Sequence, residues 1–222
     1  MTAPLRDPLP GAGADAAAIL TLMQWLSPAF PTGAFAYSHG METAIQAGEL
    51  PDAATVSGWI GDVLEWGAGW GDAVILAHAL APGADRARLA DLARALAPTA
   101  ERLRETEEQG AAFARALPGP PSGPLPLPVA IGRAAAPLGL PPALVIAAAM
   151  QGFAANLVAV AVRFVPLGQS DGQRIIEALR PVILRLAQAA AAAPLSAIAT
   201  ATIRADIASA RHETLTVRMF RT

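Results

Sequence analysis

The sequence predicts an all-α fold, a single-domain bundle of about eight to ten helices, and three observations carry that expectation. Ala, Leu and Arg dominate the chain. Apolar residues recur three and four apart rather than alternating, and β-branched runs are scarce. Hydrophobic residues make up 54% of 222 residues and charged ones only 15%, which is enough apolar surface for one large core with some left to meet other proteins.

The elements follow in order. Residues 1–14 read as a flexible N-terminal segment, broken by Pro4, Pro8 and Pro10 and without the charged-then-apolar order of a signal peptide, so the default address is the cytoplasm. Asp15 is placed to cap a first helix through Ile19, Leu22, Met23 and Leu26, which Pro28 stops. A turn at Phe30-Pro31-Thr32-Gly33 leads to Ser38, a cap for a helix through Met41, Ala44 and Ile45. Asp52 caps the next helix. Between Val56 and Leu80, Trp59, Trp66 and Trp70 alternate with glycines, and a break at Gly67 to Gly71 makes two helices of this stretch.

Asp85–Leu96 and Thr99–Leu117 read as amphipathic helices. The second carries Glu101, Arg102, Arg104, Glu105, Glu107 and Glu108, a face expected in solvent. Six prolines between residues 117 and 128 exclude a regular helix there and mark a surface loop within the 15–211 domain. Ala143–Val162 is 20 residues without a charge, long enough to cross a bilayer. Eight of the twenty are Ala, and Gln151, Gly152 and Asn156 interrupt the run, so a buried central helix is the expected reading and no membrane is invoked. Ser170-Asp171-Gly172-Gln173 has the form of a capping box, Pro181 is expected to kink the helix it opens, and Pro194 suits the start of a last helix to Arg211. Thr214, Thr216 and Val217 favour an extended tail over 212–222.

Composition removes much chemistry. Sixteen basic against 18 acidic residues leave a net charge of -2, so no basic field neutralises phosphates and nucleic acid is not an expected partner. Every basic residue is Arg, which excludes phosphate-loop and Schiff-base lysines. The absence of Cys excludes disulfides and thiolate chemistry. His39, His78 and His212 share no ligand spacing on one helix face, and Ser38, His39 and Glu42 lack the geometry of a nucleophile elbow. Glu65 and Asp72 read as solvated carboxylates. Neither a catalytic residue nor a cofactor is expected. A metal carrier built on the histidines and a membrane-associated helical protein remain the alternatives.

Two segments concentrate polar groups among apolar ones. Arg163, Gln169 and Gln173 gather where one helix ends and the next begins, either as helix caps or as an interface anchor. The tail mixes Arg211, His212, Glu213, Arg218 and Arg221 with Leu215, Val217, Met219 and Phe220. These are the anchors of a segment that docks on its own bundle or in a partner's groove.

At these residues the sequence resembles the UreF family of urease accessory proteins. The match lies in Leu26-Ser27-Pro28-Ala29-Phe30-Pro31-Thr32-Gly33-Ala34-Phe35-Ala36-Tyr37-Ser38-His39-Gly40-Met41-Glu42, in Asn156 to Gln173 with Pro166-Leu167-Gly168-Gln169-Ser170-Asp171-Gly172-Gln173, and in Asp206 to Arg221. Ala34, Val217 and Met219 depart from the family's usual Gly, Ser and Leu. The resemblance implies a homodimeric, non-catalytic scaffold that binds UreD (also called UreH) and the GTPase UreG and delivers them to apo-urease for nickel insertion. It implies UreD contacts at His212, Glu213, Arg218, Met219, Phe220 and Arg221. On the UreG side it implies coupling at Arg163, Gln169, Asp171, Tyr37 and His39.

Overall fold

The computed structural model of the protein describes residues 12–119 and 123–221. The N-terminal expectations for residues 1–11 lie outside the described residues. Ten α-helices, and no strand, are present among those described: α1 Ala12–Trp25, α2 Met41–Gln46, α3 Ala53–Trp66, α4 Ala68–Leu80, α5 Arg86–Ala95, α6 Ala100–Ala116, α7 Leu127–Ala135, α8 Pro142–Phe164, α9 Gln169–Ala192 and α10 Ile203–His212.

The centre of the bundle is α8, and its most extensive partner is α9, reached across the short 165–168 turn. Val145, Ile146, Met150, Ala154, Leu157, Val158, Val160 and Ala161 of α8 are buried. They meet Ile175, Leu179, Ile183, Leu186 and Ala187 of α9 and the inner faces of α3 and α4 in one continuous core. By length and composition α8 could cross a membrane; here the bundle encloses it as its core helix.

Local chemistry sets most boundaries as expected. The Asp52 carboxylate accepts from the Thr55 N–H at 2.9 Å, and the Asp52 N–H reaches the Thr55 hydroxyl, a reciprocal cap that opens α3. Asp85 and Thr99 cap α5 and α6. Gly67 separates α3 from α4.

Several expectations are corrected. Asp15 sits inside the first turn of α1, which starts at Ala12 within the segment read as flexible. The Pro-rich loop is shorter than expected, because α7 begins at Leu127 and accepts Pro128 in its first turn, where a proline forfeits no intrahelical hydrogen bond. The box at Ser170 does not form: α9 opens two residues earlier, at Gln169, and the Asp171 carboxylate accepts the Gly168 N–H at 2.8 Å, placing the acidic residue at the third helical position. Pro194 opens only a single 3-10 turn at Leu195–Ala197. The chain then runs without helix to Thr202, held because the Trp70 indole N–H donates to the Ala197 carbonyl and the Ala201 N–H to the Trp66 carbonyl. Beyond α10 the tail forms turns and bends rather than a strand.

The largest correction concerns α6. Glu101, Arg102 and Glu105 are buried, together with Thr106, Gln109 and Phe113. The Phe113 ring, in contact with Phe30 and Trp25, fixes which face of α6 turns inward, and the charged residues two and three turns before it are carried in on the same stripe. Glu65 and Asp72 are likewise engaged, with Arg185 and Arg102.

Candidate functional site: the tail cradle

The buried charges of α6 face α2 and α10, and the three helices form a polar cradle that holds the C-terminal tail. The chain enters α2 through two consecutive left-handed residues, His39 at φ 55° and Gly40 at φ 76°. A Cβ on Gly40 would lie 2.7 Å from the Ser209 nitrogen, so α10 can rest on the start of α2 only because that position is glycine. The Ser38 hydroxyl accepts from the Glu42 N–H at 3.4 Å, which bears out Ser38 as a cap although Gly40 forms the helix boundary.

His212, at the end of α10, has no exposed surface. Its Nδ1 lies 2.8 Å from Glu101 Oε2 and its Nε2 3.1 Å from Glu42 Oε2. A neutral imidazole has one N–H and a carboxylate only accepts, so both contacts become hydrogen bonds when the group holds one more proton than imidazole and two carboxylates supply.

The tail completes this set of hydrogen bonds. Met219 and Phe220 donate their backbone N–H groups to the two oxygens of Glu42 at 2.9 and 3.0 Å, and Arg218 donates to Glu101 at 2.6 Å. Burial pushes the Glu42 carboxyl upward, but the Met219 N–H, His212 and the Phe220 N–H outweigh it and hold the group below the usual carboxylate range. Glu213 accepts the Glu101 N–H at 3.1 Å, putting a carboxylate at the N-terminus of α6. Phe220 is buried, its ring edge-on to Phe164 of α8 at 5.1 Å between centroids. The Arg221 N–H donates to the Ala36 carbonyl at 2.7 Å and its guanidinium to Glu108, which also accepts the Tyr37 hydroxyl. Burial and that acceptor push the Tyr37 hydroxyl up to about 12, so it stays a donor at any physiological pH.

A second buried set adjoins the first. Arg102 lies between Asp72 and Glu105, and His39 Nδ1 is 3.4 Å from Glu105. Burial pushes Glu105 up, yet Arg102, His39 and the Gln109 amide keep it below its ordinary value.

The tail docks on its own bundle, one of the two outcomes the sequence left open. Arg218 and Phe220 point inward while Val217 and Met219 are 79% and 73% exposed. His212 and Phe220 lie inside the chain and act by holding the tail, whereas Met219 and Arg221 present surface. Tyr37 joins the tail network through Glu108, whereas His39 belongs to the adjoining set around Glu105. Arg163, Gln169 and Asp171 form a separate corner at the α8–α9 turn: Arg163 and Gln169 are exposed, and Asp171 is half-buried, capping α9 and paired with Arg174. His78 Nε2 donates to the Ala193 carbonyl at 3.0 Å, apart from both.

The UreF family model matches residues 50–180. The chain belongs to the UreF family. A urease accessory protein UreF of Cereibacter sphaeroides strain KD131 is 63% identical over 93% of this chain and 99% of its own length, and that of strain ATCC 17025 is 60% identical over 92% and 99%. The UreF protein of Paracoccus denitrificans is 50% identical, covering 92% and 96% of the two chains. The matched residues 50–180 include α6 and the α8–α9 corner. The sequence marks the tail but not its receptor: Glu42 stands beside Ser38 and His39 without a nucleophile elbow, and Glu101 and Glu105 lie on a helix whose charge predicts a solvated face. The signal available for them was the stripe 102, 106, 109, 113, whose last member is too large and apolar to face water.

Proposed function

We propose that this chain is a urease maturation scaffold that binds UreD through its docked tail, binds the GTPase UreG at the α8–α9 corner, and couples GTP hydrolysis to nickel insertion into apo-urease. It works without catalytic residues of its own, as a homodimer in the cytoplasm. The observation that carries this reading is the two-sided tail: its inner edge is clamped by Glu42 and Glu101, and its outer edge offers the exposed side chains of Val217 and Met219. An edge with one face anchored can bind without first paying the entropy of ordering. The exposed Leu20 and Met23 of α1 supply apolar surface suited to a second copy.

Coupling then means differential binding. The scaffold favours the GTP-bound shape of UreG while holding it against urease, so hydrolysis and nickel release coincide in place. Phe164 lies one residue from Arg163 and touches Phe220, which links the UreG corner to the tail through a single aromatic contact. The test is co-expression with UreD and UreG. Truncation after Glu213, which leaves His212 in place, is expected to give a helical protein that no longer co-purifies with UreD. Retention of UreD by the truncated chain would remove the tail from the mechanism.

A further inference from the structure

A second surface lies away from the tail, between α3 and α10. It is a groove of about 490 Å³ lined by Glu49, Gly58, Trp59, Asp62, Trp66 and Ile203. Three features within it have no explanation inside the chain. Gly58 sits in the interior of α3, where glycine is a poor helix former, yet it is exposed and a Cβ there would meet nothing within 4 Å. Trp59 is 6% exposed and its indole N–H has no acceptor among the described residues. Trp66 and Ile203 leave 53% and 69% of their surfaces open, and Ile207, one turn beyond the groove along α10, leaves 46%.

The pattern has a helical period. Thr55, Gly58, Asp62 and Trp66 form one stripe of α3, and Ile203 and Ile207 are one turn apart on α10. Its charge is acidic: Arg204 is already committed to Glu49 at 2.8 Å and lies over the Trp59 ring, and Asp62 has no ion-pair partner among the described residues. We infer that this groove receives a basic amphipathic helix of another protein, seated with its backbone against Gly58, its apolar side chains on Trp66, Ile203 and Ile207, and a cation on Asp62. The inference rests on the maturation-scaffold reading only for the source of that helix, a component of the assembly.

The chain has no Cys, so a single introduced thiol reports its own accessibility. Ile203→Cys is labelled with a maleimide in the free protein and in the assembly with UreD, UreG and apo-urease, with Arg88→Cys on α5 as the control. The expected result is labelling slowed at least tenfold at position 203 in the assembly and unchanged at 88, with the free rate restored by adding Asp62→Arg. Equal rates at position 203 in the free and assembled states overturn the inference. So does slowing that appears in the isolated protein as its concentration rises, which would make the occupant a second copy. If no assembly forms, the scaffold reading fails by itself, and a synthetic amphipathic helix with leucines one turn apart and flanking arginines then serves as the probe. Protection by that peptide and not by its glutamate counterpart supports the groove; protection by neither overturns it.

Discussion

The half of the bundle around α8 and α9 and the end formed by α2, α6 and α10 are joined by opposite chemistries. Between α8 and α9 the contacts are Leu157, Val158, Ile175, Leu179 and Ile183, which have no polar atoms to satisfy and tolerate any arrangement that fills the volume. In the cradle, Glu42, Glu101 and His212 are equally buried, and each is tolerable only because particular atoms of the others and of the tail lie within hydrogen-bond reach. The apolar half therefore holds its shape without the tail. The cradle depends on the tail for two of the donors that satisfy Glu42, so tail position and local stability are one equilibrium.

The sharpest way to break this contrast is to remove the acceptor. Glu42→Ala leaves the His212 nitrogen and the Met219 and Phe220 N–H groups unpaired, and losing one partner of a buried ionic cluster costs about 3–5 kcal/mol. Urea denaturation should show that loss, and limited proteolysis should now cut within 213–221 in the still-folded protein. Leu157→Ala, in the other half, should cost a comparable but cavity-driven ~2–5 kcal/mol while leaving the tail as resistant to protease as before. If Leu157→Ala also frees the tail, the two regions are not separate.

Acid should distinguish the halves next. A carboxyl held below its ordinary value in the folded state stabilises that state above the ordinary range, about pH 4.3 for Glu, and the stabilisation is lost as pH falls through the folded value. Glu42 and Glu105 both shift in this direction. Tail cleavage should therefore rise as the solution is taken below about pH 4.3, and Glu42→Gln should flatten the part of that rise due to the clamp. A pH-independent tail would mean that the carboxylate does not hold it.

How much of this was readable beforehand differs between the halves for the same physical reason. The α8 segment announces itself as a long uncharged helix whose Ala content and interrupting Gln151, Gly152 and Asn156 favour a core position, and Asp52, Asp85 and Thr99 mark helix starts through interactions three residues away. Local pattern suffices for such features. The cradle is assembled from positions 42, 101, 212 and 219, far apart in the chain; a charge such as Glu101 taken alone reads as solvent-facing, and only tertiary pairing makes its burial tolerable. The tail could be recognised as a docking segment from Phe220 and Met219, but its receptor could not. The start of α9 was displaced for a smaller reason: Ser170 and Asp171 are both good capping residues, and the carboxylate won the contact with the Gly168 N–H.

A milder perturbation of the cradle is Arg218→Ala. Its side chain is 41% exposed, and Glu101 keeps His212 as a partner, so the stability loss should be about 1 kcal/mol or less. The contrast would be sharpened if tail protection nonetheless falls severalfold, since the affected equilibrium is local opening rather than global unfolding.

The smallest effect on stability is expected at the α8–α9 corner. Arg163 is exposed on the last turn of α8, where its charge meets the negative end of the helix and little else, so Arg163→Ala should change unfolding free energy by no more than about 0.5 kcal/mol. Its neighbour Phe164 faces inward against Phe220, and Phe164→Ala should weaken the tail without touching the exposed corner. The two adjacent substitutions therefore separate two roles. If the corner binds UreG, Arg163→Ala loses UreG from the co-purified assembly while UreD stays, and Phe164→Ala loses both. Should Arg163→Ala retain UreG at wild-type stoichiometry, the corner is a helix terminus with no coupling role, and the route from tail to GTPase must run through another face of the bundle.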